Sequence, residues 1–214
     1  MTFLRAAVVT TVLGGAAIAG LSHPQSAPVN ADSAAALAGV AAATNVSDNQ
    51  FVTIENQDET MTLQVPAAWT DVSQGAWTVH GVHVGYFLSA STNLADFQAG
   101  RSAPGVFMGV FSGHAKRSTS ALLDTERIDI SKRCSLTGRK AYKDQFYVGN
   151  VDNYTRCGGS RQRSLVSVVQ SGDGSTVLLR VNIASDVDVP IANQIFASFQ
   201  VLGDVDEHDH GHEG

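Results

Sequence analysis

The sequence predicts an α+β domain, a mainly antiparallel sheet packed with helices and closed by one disulfide. Three observations carry this expectation. Short runs in which apolar and polar residues alternate follow one another through connections too short for a regular βαβ series. Two segments, Ser120–Ile128 and Asp186–Phe199, instead carry apolar residues at helical spacing. The chain has two cysteines, Cys134 and Cys157. A β-sandwich is the alternative, because most of the regular runs are strands.

The chain divides into four parts. Residues 1–31 have the layout of a secretory signal peptide: Arg5 in a short basic start, the apolar run Ala6–Leu21, then small residues with Ala17-Ile18-Ala19 and Val29-Asn30-Ala31 as cleavage signals. The apolar run is 16 residues long, short of the roughly 20 needed to span a bilayer. No later segment is apolar enough to span, so the expectation is a secreted or extracytoplasmic protein with no membrane span after signal cleavage. Residues 32–49 are an Ala-rich, nearly uncharged linker. Residues 50–203 form the domain, and residues 204–214 an acidic, His-rich tail.

Within the domain, Phe51–Glu55 and Met61–Val65 alternate on either side of the turn-rich Asn56-Gln57-Asp58-Glu59, which predicts a hairpin with one buried face. Pro66 ends the second strand, and Trp69 packs over its end. Val79–Leu88 and Gly105–Ser112 are further strands flanked by glycine or proline. Ser120–Ile128 is a short helix capped by Thr119 or Ser120. A cystine segment follows, with Tyr142, Phe146, Tyr147 and Tyr154 between the sulfurs. Ser164–Gln170 and Thr176–Ile183 are strands joined at Gly172-Asp173-Gly174. A closing helix places Ile191, Ile195, Phe196 and Phe199 on one stripe, and Val201-Leu202 adds a terminal strand.

The entry Leu63-Gln64-Val65-Pro66 with Trp69, and the exit Ala197-Ser198-Phe199-Gln200-Val201 after the last helix, resemble the PsbP-like fold. They are also similar to exported actinobacterial proteins of the LpqN lipoprotein kind. The resemblance spans most of residues 51–202. It implies a bacterial binding or accessory module and carries over no site residues, because the matching positions are packing positions. The lipidation cysteine of the lipoprotein members is absent, since neither cysteine lies near the cleavage region.

In an oxidising compartment the lone pair Cys134 and Cys157 is expected to form a disulfide. Closing that loop stabilises a fold by roughly 3 kcal/mol. The formal charge of −6 belongs to the ends of the chain, because residues 51–203 hold thirteen basic and thirteen acidic side chains.

Three sets of residues are chemically suggestive. Around the cystine, Lys132, Arg133, Arg139, Lys140, Lys143, Arg156, Arg161 and Arg163 stand against Asp144 and Asp152. Arg139, Lys140, Lys143, Arg156 and Arg161 are the candidate ligand-binding set, for an anionic envelope polymer or an acidic protein. Export and a neutral domain argue against nucleic acid. In the tail, His208, His210 and His212 alternate with carboxylates and suit Zn, Ni or Cu, although no cofactor is required. His80 and His83 sit three apart and can share a metal only where Gly81 breaks the strand. His114 is the other domain histidine.

The chain lacks a G-x-S-x-G elbow, an H-E-x-x-H helix and a phosphate-binding P-loop, so no catalytic residues are assigned. The leading expectation is a secreted, non-catalytic binding or accessory module for a protein or anionic cell-envelope ligand. Extracytoplasmic metal binding through the tail is the second reading. An unrecognised hydrolase, its catalytic groups assembled only in space, is the third.

Overall fold

The computed structural model describes residues 50–112 and 118–202. The signal peptide, the linker, His114 and the His-rich tail lie outside these residues.

The expected first hairpin is present. β1 (Phe51–Glu55) pairs antiparallel with β2 (Met61–Pro66). Asn56 closes the turn: its backbone N–H donates to Met61 O at 3.0 Å, and Met61 N donates to Asn56 Oδ1 at 2.7 Å. β2 buries Met61, Leu63 and Val65 on one side, as the alternation requires. Trp69 is buried in the same core.

Val79–Leu88 is not one strand. It is the meeting of β3 (Asp71–Val79) and β4 (Val82–Ser91), which pair antiparallel. The chain reverses at His80-Gly81, where both residues have positive φ, 53° and 79°. That is the requirement of a two-residue hairpin turn. A one-turn helix, α1 (Leu94–Gln98), leads into β5 (Gly105–Phe111).

The next helix, α2, runs Thr119–Ile130, and its cap is Ser118, whose side chain accepts from Ala121 N. The sequence placed that cap one or two residues later. The cystine segment is a second unexpected hairpin, β6 (Ser135–Lys143) and β7 (Tyr147–Thr155). Asp144 closes it by accepting from Phe146 N and Tyr147 N, each at 2.7 Å. β8 (Arg163–Ser171) and β9 (Thr176–Ile183) pair as expected. A single 3₁₀ turn at Asp186–Asp188 feeds α3 (Val189–Ser198), and β10 (Gln200–Val201) ends the described chain.

β3 to β9 form one antiparallel sheet in the order β3-β4-β5-β9-β8-β7-β6. β1, β2 and β10 form a second sheet in the order β1-β2-β10. One face of the large sheet buries Leu88, Met108, Val169, Leu179 and Val181 together with residues of the small sheet and α3. The other face buries Val166, Val168 and Leu178 with Leu123 and Ile130 of α2. Helices therefore pack on both faces of a mainly antiparallel sheet. The fold is α+β rather than a β-sandwich. Among the described residues no helix is long and apolar enough to cross a membrane.

Candidate functional site

The cystine organises one end of the large sheet. The disulfide joins Cys134, just after α2, to Cys157, just after β7. In the register of the sheet, Ser135 pairs with Thr155, Tyr154 with Ser164, and Arg163 with Ile183. The end of β7, the start of β8 and the end of β9 therefore lie side by side. The loops leaving them converge on a concavity of about 590 Å³, lined by Thr155, Arg156, Ser160, Arg161, Arg163 and the Ser185–Val187 turn.

Local sequence fixes both walls. On one side runs Arg156-Cys157-Gly158-Gly159-Ser160-Arg161-Gln162. Its backbone turns through left-handed conformations at Arg156, Gly158 and Gly159, with φ of 54°, 61° and 74°. Glycine adopts this region freely. Arg156 does so at a cost of about 1 kcal/mol or more. The loop is anchored by the disulfide, by Gly158 N donating to Arg133 O at 2.9 Å, and by Cys157 N donating to Gln162 O at 3.2 Å. Gln162 is buried, whereas Arg156 and Arg161 are exposed.

On the other side, Ser185 and Asp188 form a capping box at the entry to α3, with Ser185 N donating to Asp188 Oδ2 at 3.0 Å. That holds Asp186 where Arg163 Nη1 donates to its Oδ1 at 2.9 Å. Val187 is 83% exposed at the rim. Among the described residues no carboxylate lies within ion-pair distance of Arg156 or Arg161. The groove thus offers two uncommitted guanidiniums, three hydroxyls and an apolar rim.

The eight basic residues of the cystine segment do not make one patch. β6 and β7 are antiparallel, with Ser135 opposite Thr155 and Lys143 opposite Val148. Lys143 is eight residues along the strand from Ser135, roughly 26 Å from the groove end. Lys140 and Lys143 are exposed on the outermost strand, and Lys132 pairs with Asp129 at 2.6 Å.

Arg139, a candidate ligand residue by sequence, is committed inside the fold. Its Nε and Nη2 donate to Asp152 Oδ1 and Oδ2 at 2.6 and 2.8 Å, and Nη2 also donates to Asp124 at 3.0 Å. Asp152 is fully buried. Burial alone would push its carboxyl up, but the Arg139 hydrogen bonds and charge, with Arg127 behind them, hold it below the usual carboxylate range. Tyr154, which donates to Asp152 Oδ2 at 3.3 Å, is pushed up to about 12 by burial and then by that carboxylate.

No protein-family model and no curated protein matches the chain. Solved structures similar to it include cyanobacterial PsbP (CyanoP) from Synechocystis, with 11% identity over 76% of this chain and 98% of that one, at a TM-score of 0.47. The Ran-binding protein Mog1p of Saccharomyces cerevisiae is similar at 9% identity over 74% of this chain and 97% of that one, at a TM-score of 0.44. The likeness to exported lipoproteins of the LpqN kind rests on the sequence motifs alone.

The histidines fall apart from the groove. His80 occupies the β3–β4 turn, and His83 lies on β4 with Nε2 3.2 Å from Ser112 Oγ and its ring 5.1 Å from that of Tyr86. Gly81 does break the strand, yet among the described residues no group of three His, Cys, Asp or Glu is placed to hold a metal ion. His208, His210 and His212 lie outside the described residues.

Proposed function

We propose that this domain is a secreted binding module that receives an anionic ligand, an acidic protein segment, in the groove between Arg156-Arg161-Arg163 and Ser185–Val187. The observation that carries the reading is the pair of uncommitted guanidiniums in a concavity whose two walls are pinned by a disulfide and a capping box. Guanidinium presents a planar fork that matches carboxylate geometry, and pre-set walls reduce the ordering cost of binding. The hydroxyls of Thr155, Ser160 and Ser185 line the same concavity, next to the exposed Val187. The left-handed backbone at Arg156 is a local cost of the kind that clusters at binding loops. Extracytoplasmic location is part of this proposal and accords with the disulfide.

Titration with a poly-glutamate peptide tests it. Affinity should fall steeply as salt is raised through about 0.1 M, where the Debye length is about 10 Å. Arg156→Gln and Arg161→Gln should each weaken binding about tenfold, or 1.4 kcal/mol. A peptide that binds equally well to both variants removes the groove from the account. An anionic envelope polymer that binds where the peptide does not would replace the protein partner with a polymer.

A further inference from the structure

A second polar site lies behind the groove loop. Arg180 is at the middle of the large sheet, on β9, facing α1 and α2. Its guanidinium is held over the Phe97 ring at 5.2 Å and near Phe107 at 5.8 Å. Among the described residues its Nε has no hydrogen-bond partner and no carboxylate reaches ion-pair distance. Arg180 also lines a cavity of about 20 Å³ beside the disulfide, together with Arg133, Gln162, Ser164 and Asn182. Gln162, Ser164 and Asn182 are 4%, 3% and 9% exposed. Asn182 Oδ1 is buried without a partner among the described residues. Its amide is the same shape when O and N exchange, and that exchange makes it a donor.

The charges around this cavity do not balance. An arginine cannot shed its proton in a protein. Arg133 is exposed and its Nη1 donates to Ala99 O at 2.8 Å, so the cation left without a counter-charge contact is the half-buried Arg180. The neighbouring carboxylate, Glu126 of α2, acts on Arg180 through space without an ion-pair contact, and burial pushes its own carboxyl up. Buried charge without a partner is strongly disfavoured. A cavity of this volume, open on one side, seats one species of about the size of a water molecule.

We propose that this cavity is a binding site for one small monovalent anion of halide size, held between the Arg180 and Arg133 guanidiniums. Ser164 and Asn182 supply the remaining polar wall, the Gln162 Nε2 already donating to Arg101 O and Ala103 O, each at 3.4 Å. The proposal is independent of the groove ligand, although the two sites share the loop Arg156–Gln162: Cys157 and Gln162 face the cavity, Arg156 and Arg161 the groove.

Thermal unfolding of the full chain in sodium chloride and in sodium gluconate of equal ionic strength tests it. In chloride Tm should climb along a saturating curve, by about 5 °C at a hundredfold excess over Kd. Arg133→Gln and Arg180→Met should abolish the saturable part. Should Arg180→Met fail to fold, chloride NMR linewidths decide: excess broadening by the unsubstituted protein that Arg133→Gln removes supports the site. Equal Tm in the two salts, a saturable chloride effect that survives either substitution, or equal broadening by both proteins would overturn it.

Discussion

Asp152 shows how one residue redirects a reading of charge. It is a fully buried carboxylate on β7, bound by Arg139 from β6, with Arg127 from α2 3.5 Å away and Tyr154 beside it. Removing one partner from a buried pair leaves an uncompensated charge, so Arg139→Met should cost about 3 kcal/mol in urea unfolding. The pH dependence follows from the depressed folded pKa of Asp152. The stabilisation is fully present above the unfolded value of about 3.9 and is lost as pH falls through the lower folded value. Stability measured downward from neutral pH should therefore drop below about pH 4, and Asp152→Asn should flatten that drop while lowering stability at neutral pH. Nothing local in the sequence separates Arg139 from Arg156. The difference lies in Asp124 and Asp152, which reach Arg139 from 15 and 13 residues away.

At the scale of elements, the strands legible in the sequence are those with a dense run of apolar residues, on one face in β2 and on both faces in β8 and β9. β2, β8 and β9 carry dense buried apolar residues, and the turns between them have glycine or asparagine where the backbone needs it. The missed strands are of a different kind. β3 and β6 are the two edges of the large sheet and are largely exposed along their length. Edge strands carry charge and glycine that blur the two-residue period. β7 breaks its own alternation with Asp152, a charge where an apolar residue was expected. The signal that β6 and β7 form a hairpin was Asp144, a turn residue placed between two tyrosine-bearing runs.

The disulfide ties this hairpin to α2 and holds the groove loop. Its cysteines are separated by 23 residues, so replacing both with serine should cost roughly 3 kcal/mol. In the same protein, poly-glutamate affinity should fall although no guanidinium has been removed. Unchanged affinity would show that the loop keeps its shape without the bond.

For the whole molecule, the α+β class followed from the mixture of strand and helix periods, and the structure places helices on both faces of the large sheet. The candidate site was legible only as a composition. Which of the basic residues share a surface depends on strand register, and β6 running antiparallel to β7 sends Lys143 away from the end where Arg156 sits. The groove also depends on Ser185–Val187, of which Asp186 and Val187 fall by sequence within the closing segment Asp186–Phe199 and in the structure form a separate 3₁₀ turn. The central claim is that binding is confined to this end of the sheet. Amide NMR of the labelled domain, titrated with poly-glutamate, tests it most directly. The account predicts saturable shifts at Thr155–Gln162 and Ser185–Val187, with Lys140–Lys143 unmoved. Shifts confined to the β6 edge around Lys140 and Lys143, with the groove loop silent, would contradict it.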